Sequence, residues 1–572
     1  MNEALLTLKQ GVDSLAPWLQ PDGEMFDPIF FEPTQYGTAY YAYCNAVLAR
    51  ELGAGGEVYR ERAGRGLRAA LNYVLHPELP PRVSSANRET GEAWGINHRD
   101  FFWPAILKTY RLLKALAPQE VAGLEESIAA VRVELSFAQR PPNNWAAVWL
   151  SGEWLRYCEG FSPYTREQID AWLGAYFGNH VRLEQGLYME PGLPNSYDLF
   201  TRYHLADILM NSYDGPWTHE LERLLETGLR RSLAMQLSDG SLASAHRSTG
   251  QTWTLGVQCA YFRMAAGFFE DRDPDLAACA AQAAGRALSA MRRFQRPNGP
   301  FSPVENLLPP NYRVGYEVYT ADGHYSSMAL GFLATAVLRG LEDIGPDDLD
   351  PREPSTYIEH DPTFRAVAHH GPYSLHVTAA PAAHYDAFGI VDVSFGPGRY
   401  LQWASSVRAT NTERFYNLGI AQRDHPGRAP LDIVGQMDHS LIVPIERGPG
   451  LAGLRLLTRP KGYPFTYELV AQVEADGIHI SEALLGSHGY KTLLIPYLRD
   501  AGTGVTTRVI FEEQGLRLAL GKEEIRIAFA APVEHILDLP HGYENRRGLC
   551  GLLRVDFYDP SEVVSYHLSI VN

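Results

Sequence analysis

Two hydrophobic periods divide this chain. Up to about residue 343, apolar side chains recur at i, i+3, i+4 and i+7, as in Arg60 to Val74, Leu221 to Leu233 and the Ala-rich run Leu276 to Met291. That spacing places one apolar stripe along a helix. Beyond residue 362, short alternating runs take over: Tyr373 to Val377, Ile390 to Val393, Ile478 to Ile480 and Glu524 to Ala528, with turn residues between them. A period of two buries one face of a strand, and many short runs of this kind predict a β-sandwich. The segment Asp343 to Pro351 is acidic, Pro-containing and aperiodic, and reads as a linker. The expected organisation is a multidomain α+β chain. It has a helical domain over 1–345, a linker over 346–362 and an antiparallel β-sandwich over 363–572.

The helical part carries a second regularity. Clusters rich in Tyr, Trp, Asn and His read as loop-to-helix entries near Tyr36, His98, Asn144, Tyr197, Gln251 and Tyr319, at gaps of 62, 46, 53, 54 and 68 residues. Each gap suits a hairpin of two helices plus loops. Six hairpins closed into a ring predict an (α/α)6 toroid, with six inner-helix starts around one shared cleft. A twelve-helix solenoid would give similar spacing, but would carry a recognisable repeat motif that this sequence lacks.

Composition narrows the function classes. Of 572 residues, 45% are hydrophobic and 20% charged, which is globular rather than disordered. A net charge of −17 argues against a nucleic-acid partner, because phosphate neutralisation needs a basic face. It leaves room for a local Arg/His pocket that takes one carboxylate. The five cysteines are scattered, with no C-x-x-C, and support neither a disulfide framework nor a zinc site. No nucleotide, dinucleotide, nucleophile-elbow or zinc-protease motif is present, so no cofactor and no metal are expected. The N-terminus shows no signal peptide and no run approaches a membrane span, so a cytoplasmic protein without a membrane partner is expected. The oligomeric state stays open, with a homodimer among the options. The 31 tyrosines are the unusual feature. Tyr joins an apolar face to a polar tip, which suits a cleft for sugar rings as well as a core.

Candidate chemistry is concentrated in a few segments: Trp94 to Trp103, Pro142 to Trp149, Gln185 to Asp198 continuing to Arg202-Tyr203-His204, and Asp239 to Arg247 with Gly315 to Tyr325. The sequence here resembles the polysaccharide lyases of the heparinase II/III, alginate-lyase and hyaluronate/chondroitin-lyase type. In that group an Asn beside an aromatic or His opens an inner helix. About fifty residues later, a D-G-x-[FY] stretch leads into a catalytic Tyr. Asn143-Asn144-Trp145 matches the first element, and Gly186 to Glu190 followed by Tyr197 matches the second. The motif match covers residues 143–204. Gln185 stands where the pattern has Asp, and the usual His is absent from both elements.

The resemblance implies β-elimination on a uronate-containing oligosaccharide or polysaccharide, and elementary chemistry asks for the same residue types. The C5 proton of a uronate is barely acidic while the neighbouring carboxylate is ionised, so hydrogen-bond donors must neutralise that carboxylate. Asn144, His98 and Arg202 are candidates. Tyr197 is the first choice for base, its phenol lowered by cationic neighbours and reusable as acid in a syn elimination. His246 is the base for an anti elimination, and Tyr316 or Tyr319 supplies the acid. Glu190, Tyr203, His204 and Arg247, with Trp253, Glu317, Tyr319 and His324 at later helix entries, are expected to bind the sugar. Structural alternatives stand beside these roles. Asn144 can cap its helix, Tyr197 and Tyr203 can be core, and Arg202 can pair with Asp198 one turn earlier. A glycoside hydrolase using two carboxylates among Asp100, Glu190, Glu317 and Asp322 is the second function. A non-catalytic carbohydrate-binding protein is the third.

Overall fold

The computed structural model describes residues 2–79, 82, 99–137, 143–190, 195–244, 247–317, 319–342, 344, 349, 351–379, 389–401, 403–404, 418–422, 437–445, 451–460, 464–487, 489–558 and 562–571. The helices are α1 (Glu3–Leu15), α2 (Gly37–Leu52), α3 (Glu57–Leu75), α4 (Trp103–Leu116), α5 (Leu124–Ala130), α6 (Val133–Ser136), α7 (Asn144–Cys158), α8 (Arg166–His180), α9 (Asn195–Met210), α10 (Thr218–Met235), α11 (Trp253–Phe269), α12 (Pro274–Arg292) and α13 (Asp322–Leu338). Helices α2, α4, α7, α9, α11 and α13 pack each on the next and the last on the first, closing a ring. Around it, α3 lies on α2, α8 on α7, α10 on α9, α12 on α11 and α1 on α13.

Burial explains the two layers. An inner helix touches neighbours on every side, so α9 and α13 are buried along almost their whole length. An outer helix keeps a wetter face: α10 buries Leu221, Leu224, Leu225, Gly228 and Leu229, while Glu222, Arg223 and Thr227 are half-buried and Glu226 is exposed. The observed inner-helix starts lie within five residues of the six predicted entries. His98 itself lies outside the described residues. No helix among the described residues is long and apolar enough to cross a membrane.

The second half is antiparallel β-structure. Among the described residues it forms sheets of five, eight and four strands. The five run in chain order from β3 (Arg352–Glu359) through β4 (Arg365–Gly371), β5 (Tyr373–Thr378) and β6 (Gly389–Phe395) to β7 (Trp403–Ala404). The eight include the neighbours β11 (Thr466–Glu474), β12 (Gly477–Leu485) and β19 (Val563–Ile570), and the four include β17 (Val533–Asn545) and β18 (Gly548–Phe557). Along β11, Tyr467, Leu469, Ala471 and Val473 all point into a sandwich core separate from that of the toroid. Strand β3 falls inside the segment read as a linker, so ordered sheet begins before residue 363. A short hairpin of β1 (Val181–Arg182) and β2 (Leu187–Tyr188) packs against α9, with Leu187 and Tyr188 buried.

Buried polar contacts lock the sandwich to the toroid. His369, which lies outside any metal cluster among the described residues, is buried and faces the Ala234 carbonyl at 2.9 Å and the Ser374 hydroxyl at 2.7 Å. Asp239-Gly240-Ser241 is a turn, as its composition suggests, and Asp239 is paired with Arg293 at 3.0 Å. Within the sandwich, Asp392 of β6 receives Arg546 at 3.0 Å and Arg547 at 2.9 Å from the β17–β18 turn. The backbone of that turn meets the toroid, where Asn306 donates to the Arg546 carbonyl at 3.1 Å. Gly250 (φ +72°) and Gly315 (φ +78°) make the approach possible, because a Cβ at either would run into Arg546.

Against the burial that would raise it, Arg546, the His376 ring at 3.3 Å and Arg547 hold the Asp392 carboxyl well below the usual range. Removing one partner of a buried ion pair costs about 3–5 kcal/mol. Asp392→Asn is therefore expected to lower the unfolding free energy in urea by about that much. An unfolded aspartate titrates near pH 3.9, so the contribution is complete above about pH 4 and lost as pH falls toward the depressed folded value. Unchanged urea and acid stability in the variant would contradict this assignment.

Candidate active site

The inner helices begin at one end of the ring, and their first turns meet. The Tyr36 ring, just before α2, lies 4.5 Å from His324 in α13 and 5.6 Å from Phe101, just before α4. Phe101 lies 6.2 Å from the partly exposed Trp145 at the start of α7. On the other side, Tyr197 in the first turn of α9 reaches the loop before α11 and, through it, the loop before α13.

Asn143, not Asn144, caps α7: its side-chain oxygen accepts from the Trp145 backbone N–H at 2.9 Å. Asn144 is thereby free to turn inward, and its amide donates to Glu190 Oε2 at 2.7 Å. Tyr188 donates to the same oxygen at 2.9 Å, and Arg247 pairs with Oε1. One buried carboxylate therefore gathers an amide, a phenol and a guanidinium. The Arg247 guanidinium also lies 4.6 Å from the centre of the Tyr197 ring, and its side chain is 38% exposed. It is the part of the cluster most open to solvent.

A chain of hydroxyls leads away from Tyr197. Its phenol is 3.0 Å from Ser248 Oγ, which is 2.7 Å from the half-buried Tyr319 phenol. Ser248 has φ +62°, and its N–H donates to Glu317 Oε1 at 2.6 Å. The Tyr197 pKa moves opposite to the sequence expectation. Burial pushes it up to about 12, although Arg247 and Ser248 pull it down, while Glu317 and Glu190 add to the rise. The phenol keeps its proton at neutral pH.

Other residues expected at the site are placed elsewhere. Arg202 is fully buried and satisfied by Asp198 at 2.8 Å, Ser232 at 2.8 Å and the Gly228 carbonyl at 2.9 Å, so it supports α9 and faces no sugar. Tyr203 receives Lys108 at 3.0 Å deeper in the ring. His204 is packed edge-on against Phe200, and burial drives its pKa down to about 3, which keeps it neutral. Trp253 is buried behind Tyr197, 5.7 Å away, and donates to Gln251 at 2.8 Å. His324 lies buried between Tyr36 and Tyr325. Tyr316 donates to Asp322 at 3.1 Å, and its own pKa is raised by burial and by that carboxylate. Asp322 is itself pushed up to about 7 by burial and by Asp27. Of the hydrolase candidates, Glu190 and Glu317 join the cluster around Tyr197, while Asp100 is buried and accepts from the Phe101 N–H at 3.1 Å. His98 and His246 lie outside the described residues.

The structure adds Tyr188 and Ser248. Tyr188 sits in the matched stretch, nine positions before Tyr197, but only the fold shows that its phenol faces Glu190. Ser248 carried no sequence signal beyond a Ser/Thr/Gly-rich loop.

No protein-family model and no curated protein matches this chain. Solved structures do. The chondroitin AC lyase of Streptomyces coelicolor A3, in complex with chondroitin sulphate, aligns over 99% of this chain and 79% of its own, at 12% identity and a TM-score of 0.50. A Paenibacillus xanthan lyase aligns over 100% of this chain and 56% of its own, at 10% identity and a TM-score of 0.50. An α-1,6-mannanase of Salegentibacter sp. HEL1_6 covers 59% of this chain and 100% of its own, at 14% identity and a TM-score of 0.39. At such identities the likeness is one of architecture. The chain has the polysaccharide lyase fold, a helical toroid followed by an antiparallel β-sandwich.

Proposed function

We propose that this chain is a glycan-degrading enzyme that cleaves a uronate-containing oligosaccharide or polysaccharide by β-elimination. The observation that carries the reading is the meeting of Asn144, Arg247 and Glu190 beside the Tyr197 phenol. Asn144 and Arg247 are the donors that a uronate carboxylate needs, and Glu190 holds both in place until the sugar arrives. Neutralising the carboxylate lets the C5–H bond give up its proton to a base. The electron pair forms the C4–C5 double bond as the C4–O bond breaks, and the leaving oxygen takes a proton.

Tyr197 suits the proton-donor role, because burial keeps its phenol protonated. Ser248 and Tyr319 offer a path that returns a proton from the solvent side. His246, which directly precedes Arg247 in the chain, is assigned as the base of an anti elimination. The fold supports a carbohydrate substrate, since the architecturally similar enzymes act on glycans by their descriptions.

A second reading has one specific observation in its favour. Glu190 and Glu317 both lie near enough to Tyr197 to raise its pKa, and such a pair could serve a glycoside hydrolase as acid and base.

A panel of uronate oligosaccharides separates these readings. Elimination creates a conjugated double bond, and the expected result is a rise in ultraviolet absorbance with each cleavage. New reducing ends without absorbance favour the hydrolase, and neither signal leaves carbohydrate binding alone. Tyr197→Phe is expected to lower kcat by about 10²–10⁴-fold with little change in substrate binding. Asn144→Ala is expected to lower kcat/KM by about 10²–10³-fold. Full activity in Tyr197→Phe would remove this residue from the chemistry. A spectroscopic titration checks the protonation state: the tyrosinate signal lost in Tyr197→Phe should appear only near pH 12. A signal emerging near neutral pH would instead favour the phenolate as base.

A further inference from the structure

We propose that Asp476, His479 and His567 form a binding site for a divalent transition-metal ion such as zinc, on the sandwich and apart from the glycan cleft. Asp476 lies in the turn between β11 and β12, His479 on β12 and His567 on β19. The two histidines stand directly opposite each other in the antiparallel register of β12 and β19. Their neighbours Ile478, Ile480, Tyr566 and Leu568 point into the sandwich core, so the imidazoles occupy the opposite face of the sheet.

The geometry is close to that of a ligand set. One donor atom from each of the three residues lies within 4.8 Å of the other two. His479 Nε2 and Asp476 Oδ1 are 3.3 Å apart. Zinc bonds of about 2.0–2.1 Å in a tetrahedron set neighbouring ligand atoms roughly 3.3 Å apart, which the His479–Asp476 edge already matches, and the two stacked rings must turn about their side-chain bonds to aim both lone pairs at one ion. The imidazole rings lie parallel, with centroids 4.1 Å apart and 14° between their planes. His567 Nε2 is turned toward the Asp476–Gly477 turn, beside the peptide that carries the third ligand.

A second observation shows that the turn is fitted to the His567 ring. Residue 477 is Gly with φ +154°, and a Cβ there would lie 2.2 Å from His567 Nε2. The turn is also tied down from behind, since the Tyr373 hydroxyl donates to the Asp476 carbonyl at 3.4 Å and accepts from the Ile570 N–H at 3.3 Å. Two imidazoles and one carboxylate select zinc, cobalt, nickel or copper over magnesium or calcium, which prefer oxygen ligands. Three protein ligands leave a fourth position for water. A bound ion would join the β11–β12 turn to the last strand of the chain. The linear sequence shows no such motif, because the ligands come together only through the pairing of β12 with β19.

The test is titration of the full-length, chelator-stripped protein with cobalt(II) and zinc(II). One equivalent of cobalt should bind with the visible absorption of a low-coordinate nitrogen/oxygen site. Zinc should raise Tm with concentration, as expected for an ion that binds only the folded state. His479→Gln and His567→Ala should lose both effects, with the metal-free circular dichroism of the parent. If His567→Ala fails to fold, the partly exposed His479→Gln decides alone. No saturable binding in the parent, or the same cobalt spectrum and Tm shift in His479→Gln, would overturn the site.

Discussion

Asp198 carries a buried negative charge shared by four elements. Its oxygens accept from the Tyr188 N–H at 2.7 Å, from Arg202 at 2.8 Å and from Arg231 at 2.6 Å. Arg231 continues to Glu359 on β3. One carboxylate thus joins the β1–β2 hairpin, inner helix α9, outer helix α10 and the first strand of the sandwich. Two guanidiniums and two carboxylates alternate along the path, so the charges balance, as burial requires. The next residue toward the N-terminus is Tyr197, and the hairpin held by Asp198 presents Tyr188 to Glu190. The placement of Tyr188 and Tyr197 follows from this one network.

The sandwich packs against the loops that carry part of the candidate site. The β17–β18 turn, anchored by Asp392, presses on Gly250 and Gly315 in the two loops that carry Ser248 and Glu317. The hydroxyl chain from Tyr197 to Tyr319 therefore lies where both halves of the chain fix it. Burial there explains why the Tyr197 phenol holds its proton, and why Arg247 offsets only part of the rise.

Much of this architecture was legible in the sequence, because it rests on local periodicity. Outer helices α3, α10 and α12 and strands β5, β6, β12 and β16 (Glu523–Phe529) fall where apolar spacing places them. The aromatic and Asn clusters mark the inner-helix starts because those turns line a shared space. Strand β3 escaped notice because it is an edge strand containing Pro354 and several polar residues, and an edge need not alternate strictly. Arg202 and Asp198 were a readable one-turn pair, whereas Arg546 and Asp392 are 154 positions apart and meet only through the fold. Which of two adjacent asparagines caps α7 depends on backbone angles that composition does not encode. The direction of the Tyr197 shift depends on total burial, which a list of charged neighbours cannot supply.

The central claim is that cleavage here is elimination at the Asn144–Glu190–Arg247–Tyr197 cluster. The most direct measurement is the mass of both fragments from one defined uronate oligosaccharide cut by the enzyme. Elimination adds nothing, so the fragment masses should sum to that of the substrate. A sum greater by one water would contradict the account and assign the same cluster to hydrolysis.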